Sequence, residues 1–364
     1  MRENGLHVRV LLACALAAAF VGFAARRPAP RAVTEDYDWR DGKALALEGR
    51  GFPQSTLYSR LPEKWKGVVP DAVWNLSHTS IDVNARFVTD SDEVVVRWEV
   101  PKGYRPHPQI TLNGTQGVDV YRRLADGTWE HRLAGAPDVE TGAGELRVRW
   151  TPGDECLVYL PMRVSPLAFS IGVKKGRRFD PARPHRLAKP VAHYGTSIVH
   201  GGRADRPGLT FTSVMARELD VELVNLGFPG AGKMELPMAD VLAEIDAALY
   251  IVDCEWNMTE EMVAERCEPF VRKLKALRPE TPILLCGGCT EKATPRPQEV
   301  VSRKIFSKLK AEDPAKWANL HYLSGVDQLP NSSDCTTDHC HPNAYGFMYM
   351  GPVYARAVRK ILGL

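Results

Sequence analysis

The sequence has 364 residues, of which 44% are hydrophobic and 25% are charged, and its formal net charge at pH 7 is +3. This length suits two domains of ordinary size, and the composition is that of a globular protein able to bury a core. The small net charge gives no global argument for nucleic acid or an anionic surface, so no nucleic-acid partner is predicted.

The first 25 residues have the three parts of a secretory signal peptide. Two arginines precede an uncharged apolar run over residues 10–25, and small residues near its end offer a cleavage site. The run is short for a membrane span, so we expect a signal peptide at 1–25, with an uncleaved membrane anchor as the alternative. Residues 26–36 are interpreted as a tether. The protein is expected to be secreted or periplasmic, and to contact a membrane only through the segment 1–25 if that segment is not cleaved.

Residues 37–173 contain short stretches in which apolar and polar residues alternate. Two of them flank the turn residues Asp126 and Gly127, as in a hairpin. Short strands at intervals of roughly ten residues, without a helical period between them, predict an all-β, jelly-roll-like sandwich domain. The stretches are 81–87, 94–100, 118–121, 128–131, 146–150 and 157–160.

Residues 174–190 mark the predicted boundary between the two domains. Residues 174–189 are rich in Lys and Arg, contain two prolines and have one acidic residue, Asp180. We interpret it as a solvated linker, with a patch for an anionic partner as the alternative.

From residue 191 to 364 the pattern changes to apolar strands that alternate with helices. Together with the strand before Ser197, there are five apolar strands. They predict a five-stranded parallel sheet that helices cover on both faces, which is a three-layer, flavodoxin-like α/β domain. Reactive groups in such folds lie at the carboxyl ends of the strands. The other strands are expected at 221–226, 247–252, 283–285 and 320–323, and the helices at 210–219, 236–245, 259–277, 298–309 and 345–362.

Loops at these strand ends carry the groups that an ester hydrolase needs, namely a nucleophile, a base, a group that orients the base and donors for the oxyanion. Ser197 suits the first role and His341 the second, while Asp338, three residues before His341, can orient its imidazole. The N–H groups of Ser197 and Gly230 and the side-chain amide of Asn257 can supply the donors. Each residue alone has an ordinary interpretation as a turn or helix-cap residue, but their joint occurrence in order favours the catalytic one.

These blocks resemble those of the SGNH (GDSL-type) hydrolases over residues 190–364. The segments Tyr194-Gly195-Thr196-Ser197-Ile198, Asn225-Leu226-Gly227-Phe228, Asn257-Met258-Thr259 and His341-Pro342-Asn343 resemble the branch that carries a β-sandwich ahead of the catalytic domain. Many members of that branch are carbohydrate esterases or acyl-ester hydrolases. The chain departs from the broad family pattern at Thr196, Pro229 and Met258.

The resemblance implies that Ser197 is the nucleophile, that Asp338 and His341 complete the triad, and that Ser197, Gly230 and Asn257 form the oxyanion hole. Together with the signal-peptide pattern, the resemblance predicts an exported serine esterase that needs no metal or cofactor. The expected substrate is an acyl ester, with an O-acetyl ester favoured, on a polysaccharide or a small molecule. The alternatives are a hydrolase of lipid or other acyl esters, an acyltransferase of the same fold, and a glycan-binding protein whose hydrolase domain is inactive.

Two further patterns suggest other chemistry. Gly227-x4-Gly232-Lys233 after a strand matches most of a phosphate-binding loop, but Met234 stands where Ser or Thr holds Mg²⁺.

Cysteine spacing allows a zinc site as the second alternative. Cys286-x-x-Cys289, with Cys335, Cys340 and His339, could form a tetrahedral site. In an exported protein disulfides are favoured instead, and we predict a Cys335–Cys340 disulfide that closes the loop bearing Asp338.

Overall fold

The computed structural model describes residues 36–103 and 107–364, and its N-terminal half is a sandwich of two antiparallel sheets. The strands are β1 (Tyr37–Asp41), β2 (Leu47–Glu48), β3 (Asn84–Thr89), β4 (Glu93–Glu99), β5 (Val118–Arg123), β6 (Trp129–Gly135), β7 (Ala143–Arg149), β8 (Glu155–Tyr159), β9 (Ala168–Lys174) and β10 (Phe179–Pro181). One sheet has the order β1-β9-β4-β7, and the other has the order β10-β3-β8-β5-β6, with β2 also on β3. Two short helices, α1 (Asp71–Leu76) and α2 (Asn113–Gln116), lie in the connections.

The alternating pattern produces the sandwich because one side of each strand enters a common core. Val94, Val96 and Trp98 of β4 are buried there with Val158 of β8, which belongs to the opposite sheet. The strands β5 and β6 form the predicted hairpin. The prediction of an all-β domain ahead of the α/β domain is confirmed.

The C-terminal half is the predicted five-stranded parallel sheet. Its elements are β11 (Val191–Gly195), β12 (Leu223–Gly227), β13 (Leu249–Asp253), β14 (Ile283–Cys286), β15 (Leu320–Leu323), α3 (Phe211–Leu219), α4 (Leu236–Glu244), α5 (Glu260–Leu277), α6 (Pro297–Glu312) and α7 (Ala344–Leu362). The strand order is β12-β11-β13-β14-β15. The strands that follow β11 in the chain, β12 and β13, therefore lie on opposite sides of β11. Because the strand order reverses there, a crevice opens at the carboxyl end of β11, beside the residues that follow it.

Helices cover this sheet on both faces and create the three layers. Along β13, Tyr250 and Val252 enter the core that includes α4, α5 and α6, whereas Leu249 and Ile251 enter the core that includes α3 and α7. Both sides of the strand are buried, which is why its sequence is continuously apolar.

The segment 174–190 contributes structure of its own. Strand β10 pairs with β3, and Arg86 donates to the carbonyl of Arg183 at 3.0 Å. The predicted signal peptide at 1–25, and the predicted tether as far as residue 35, lie outside the described residues. Among the residues that the structure describes, no helix combines the length and apolarity that a membrane crossing requires.

Candidate active site

Ser197 lies in a tight turn just past the carboxyl end of β11. The turn is closed by hydrogen bonds from His200 N to Thr196 O (3.0 Å) and from Gly202 N to Ser197 O (2.7 Å). Gly195 is required at the end of the strand, because an added Cβ would lie 2.3 Å from the carbonyl oxygen of Asp253. The turn leaves Ser197 half-buried at the edge of the crevice.

His341 and Asp338 meet Ser197 across 144 residues of sequence. Ser197 Oγ lies 2.9 Å from His341 Nε2, and His341 Nδ1 lies 2.9 Å from Asp338 Oδ2. The main-chain N–H of His341 also donates to Asp338 Oδ1 at 2.7 Å. Partial burial alone would raise the pKa of the Asp338 carboxyl, but the two bonds from His341 and the charge of its imidazole hold that pKa at about 2.

Main-chain bonds fold the loop that carries these two residues. Thr337 N donates to His341 O at 3.0 Å, and Asn343 N donates to Cys335 O at 3.1 Å. Asn343 then caps α7, because its Oδ1 accepts the N–H of Gly346 at 3.1 Å. The helix cap therefore fixes the position of the base.

Two main-chain donors face the crevice without a partner. Within the described residues, the N–H groups of Ser197 and Gly230 have no hydrogen-bond acceptor. Gly230 is exposed at φ +69°, in the loop that follows β12. Phe228 N, in the same loop, donates to Gly195 O at 2.9 Å and so joins this loop to the Ser197 turn.

Asn257, the third predicted donor, joins the loop after β13 to the Gly230 loop. Its Nδ2 donates to Ala231 O at 2.7 Å, and Phe228 O lies 3.4 Å away. Gly232 O lies 3.5 Å from the same nitrogen, so both amide hydrogens have carbonyl acceptors within the Gly230 loop and hold the two loops together. The structure brings all five sequence-predicted site residues to the same end of the sheet.

Glu255 precedes Asn257 in the same short turn and was not identified from the sequence as a site residue. It is fully buried, begins the short turn Glu255–Asn257, and accepts hydrogen bonds from Gly288 N (2.8 Å) and from the hydroxyl of Ser302. Burial raises the pKa of its carboxyl to about 7, although these two bonds oppose the shift. Its place two residues before Asn257, in the loop that closes β13, was the only sequence signal for it.

Arg60, from the N-terminal half, holds the base of the Gly230 loop. Its buried guanidinium donates to the carbonyls of Asn225 (3.1 Å), Gly227 (2.8 Å) and Leu76 (2.7 Å), and stacks on Phe228 with 4.6 Å between Cζ and the ring centroid. Burial lowers the pKa of Arg60 to about 9. No motif marks this residue, because its role exists only once the two halves have packed.

Asp82 is a second inter-domain contact. Its buried carboxylate accepts hydrogen bonds from Asn225 Nδ2 and Thr212 Oγ1, each at 2.7 Å. Asn225 also donates to Val199 O at 2.7 Å and accepts from Gly227 N at 2.8 Å, so one amide links both site loops to the sandwich.

The predicted Cys335–Cys340 disulfide is wrong, because both thiols are free. The main-chain bonds described above close the loop instead, so that Cys335 lies at its base. The Cys335 thiol points to Ser332 O at 2.9 Å, whereas Cys340 lies beside the catalytic pair at the tip.

The proposed zinc ligands do not come together as a set in the described part of the chain. The group there that could hold a metal ion is Asp338, Cys340 and His341, whose ligand atoms lie within 4.8 Å of one another. Both ring nitrogens of His341 are already engaged by Ser197 and Asp338. His339 turns away, with Nδ1 3.2 Å from Glu291.

Two family models match the chain. Residues 188–362 match the GDSL-like lipase/acylhydrolase family, and residues 37–179 match GxDLY, the N-terminus of the SGNH-hydrolase type of esterase. The chain belongs to the GDSL-type hydrolases. This GDSL-type hydrolase is a carboxylic ester hydrolase, as the resemblance of its sequence blocks implied.

Solved structures share this two-domain arrangement. A GDSL-like lipase from Bacteroides ovatus ATCC 8483 is 27% identical to this GDSL-type hydrolase, with a TM-score of 0.79 over 90% of this chain and 98% of the other. A salicylyl acyltransferase from a tetracycline biosynthetic pathway is 20% identical, with a TM-score of 0.71 and the same coverage. An acetyl xylan esterase from the rumen bacterium Butyrivibrio proteoclasticus is 11% identical, with a TM-score of 0.55 over 90% of this chain and 99% of its own. A search of curated proteins gave no match.

Proposed function

We propose that this protein is an exported serine esterase that removes O-acetyl groups from carbohydrate through an acyl-enzyme on Ser197. The observation that carries the proposal is the hydrogen-bonded chain from Ser197 Oγ through His341 to Asp338, together with the N–H groups of Ser197 and Gly230, which have no acceptor in the described part of the chain. A nucleophile, its base and donors for a developing oxyanion are the parts that acyl transfer requires.

In the proposed reaction, His341 Nε2 takes the Ser197 proton while Oγ attacks the ester carbonyl. The N–H groups of Ser197 and Gly230 donate to the oxyanion, and the side-chain amide of Asn257, which bonds Ala231 O in the free protein, is the proposed third donor. His341 then gives its proton to the leaving alcohol, and an acyl-enzyme remains. Water activated by the same imidazole releases the acid, while Asp338 keeps the imidazole oriented and balances its charge.

The carbohydrate acetyl ester is supported by similarity. Structural neighbours of this fold include the acetyl xylan esterase and a carbohydrate esterase of family two from Clostridium thermocellum in complex with cellohexaose, which is 11% identical with a TM-score of 0.53. The sandwich ahead of the catalytic domain is also a feature of the branch that the sequence blocks resemble.

The test is hydrolysis of acetylated xylan and of aryl esters with acyl chains of increasing length. We expect acetate release from the polysaccharide and the highest kcat/KM for the acetyl ester. Ser197→Ala should lower kcat by roughly 10⁴-fold or more, as removal of a triad nucleophile does. Ser307→Ala, which changes an exposed serine of α6, is the matched control and should keep full activity.

Other results of the same experiment would contradict the proposal. A preference for long acyl chains would indicate a lipid esterase, and ester formation with an added alcohol in place of acid release would indicate an acyltransferase. Equal rates for the wild type and Ser197→Ala would show that Ser197 is not the nucleophile. That result would favour a glycan-binding protein whose hydrolase domain is inactive.

Export is proposed from the signal-peptide pattern at residues 1–25. N-terminal sequencing of the protein recovered outside the cytoplasm tests it. We expect a new N-terminus near residue 25, and an intact N-terminus on cytoplasmic protein would contradict export.

A further inference from the structure

Arg296 and Trp256 form a stacked pair at the rim of the site. The Arg296 guanidinium carbon lies 3.4 Å from the centroid of the Trp256 ring, and Trp256 immediately precedes Asn257. The indole is fixed in turn, because its Nε1–H donates to Cys289 O at 2.8 Å. Gly288 leaves room for the pair, since a Cβ there would lie 3.2 Å from Arg296 Cδ and 3.3 Å from Trp256 Cδ1.

The guanidinium of Arg296 has no acceptor within the described part of the chain. It takes part in no hydrogen bond or ion pair there, and its Nε is buried without a partner. The two carboxylates in its electrostatic environment are engaged elsewhere, Glu255 by Gly288 and Ser302 and Glu291 by His339. Partial burial lowers the pKa of Arg296, and the charges of Glu255 and Glu291 oppose this effect without bonding the guanidinium.

The position of Arg296 relative to the triad indicates which part of a substrate it would meet. Burial raises the pKa of the Cys340 thiol, and Arg296 is near enough for its charge to oppose that rise, while the thiol lies within 4.8 Å of the His341 imidazole. His341 has to give its proton to the leaving oxygen, so the alcohol portion of the ester lies on the imidazole side. The guanidinium therefore faces the alcohol rather than the acyl group.

We propose that the alcohol portion of the substrate carries a carboxylate, as in a uronic-acid type of sugar, and that Arg296 binds it. This inference rests on the proposed function and narrows its substrate class. A guanidinium presents paired N–H donors that match the two oxygens of a carboxylate, and stacking on Trp256 fixes the plane in which they point. Arg296 is thus a specificity residue of the esterase.

The experiment compares two acetate esters of the same shape, 4-acetoxybenzoate and its neutral amide 4-acetoxybenzamide, after each kcat/KM is divided by the uncatalysed hydrolysis rate of the same ester. We expect the wild type to prefer the carboxylate, in kcat/KM, by roughly 10- to 100-fold, the usual effect of one charged hydrogen-bonding pair. Arg296→Gln should reduce this preference to near unity. Arg296→Lys keeps the charge but loses the planar fork, so it should keep only part of the preference.

The matched control is Arg149→Gln, which neutralises an exposed arginine of β7 and should keep the wild-type preference. An unchanged preference in Arg296→Gln, or equal kcat/KM for the two esters in the wild type, would overturn the proposal. A preference for an anionic acyl group that depends on Arg296 would overturn the assignment to the alcohol side.

A binding measurement separates this inference from the proposed function. Calorimetric titration of Ser197→Ala protein with 4-hydroxybenzoate and 4-hydroxybenzamide needs no turnover. If Ser197→Ala binds 4-hydroxybenzoate more tightly than 4-hydroxybenzamide, and the double variant Ser197→Ala/Arg296→Gln does not, the Arg296 site is supported even if every ester resists hydrolysis. Equal binding of the two alcohols contradicts it even if the protein is an active esterase.

Discussion

Asp338 fixes both the position and the tautomer of the proposed base. Its two carboxylate oxygens receive the main-chain N–H and the imidazole Nδ1–H of His341, which leaves Nε2 free to accept the Ser197 proton. Because these bonds hold the pKa of Asp338 at about 2, the carboxylate stays ionised at pH values where a free aspartate would take up a proton.

Replacement of Asn257 tests the side-chain donor of the oxyanion hole. We predict that Asn257→Ala lowers kcat on an aryl acetate by roughly 10²- to 10³-fold, since a donor aimed at the oxyanion acts mainly in the transition state. The KM should change much less. Because Asn257 also bonds Ala231 O at 2.7 Å, thermal unfolding has to be measured in parallel. A raised KM with an unchanged kcat would show that the amide only binds substrate.

The loop after β12 is shaped by two glycines in the left-handed region, Gly230 at φ +69° and Gly232 at φ +75°. Their surroundings differ, because a Cβ at Gly230 would meet nothing within 4 Å, whereas a Cβ at Gly232 would lie 2.2 Å from Gly195 O. The loop therefore needs Gly232 for its close approach to the end of β11.

Alanine at these two glycines separates backbone strain from this close approach. We predict that Gly230→Ala costs about 1 kcal/mol of unfolding free energy, the strain of a left-handed residue, and that Gly232→Ala costs more than about 2 kcal/mol. Denaturant unfolding of the two variants measures both values. Equal losses would mean that the approach to Gly195 carries no energetic weight.

The elements that the sequence predicted well are those whose signal is local. Apolar strands that alternate with helices indicated the parallel sheet, and Ser197, Asn257 and His341 were found because polar residues at strand ends converge in such a fold. The disulfide prediction failed because spacing between Cys335 and Cys340 does not determine the direction of either side chain. Arg60 acts on a loop 167 residues away, a distance over which a single sequence read by itself contains no signal.

At the scale of the whole molecule, the sandwich and the α/β domain share a charged cluster as well as the Arg60 and Asp82 contacts. His185 lies in this cluster, with Nε2 3.0 Å from Glu48 and Nδ1 3.4 Å from Asp220. Burial would lower the pKa of His185, but the two carboxylates outweigh burial and raise it to about 9 from an ordinary value of 6.5.

The raised pKa of His185 predicts how stability depends on pH. The folded protein keeps the His185 proton where the unfolded chain has lost it, so the stabilisation is complete below pH 6.5 and is lost as the pH rises through about 9. Unfolding free energies measured from pH 6 to 9.5 should fall less steeply in His185→Gln than in the wild type. The exposed His107→Gln serves as control and should follow the wild type. Parallel curves for His185→Gln and the wild type would contradict the prediction.

The most direct test of the account is covalent trapping of the nucleophile. The protein is incubated with an aryl phosphonate ester, which a triad serine attacks at phosphorus, and the adduct is located by peptide mass spectrometry. We predict one adduct per chain, on Ser197, absent in Ser197→Ala and formed far more slowly in His341→Ala. Labelling at another residue, or undiminished labelling of Ser197→Ala, would contradict the claim that the Ser197–His341 pair performs the chemistry.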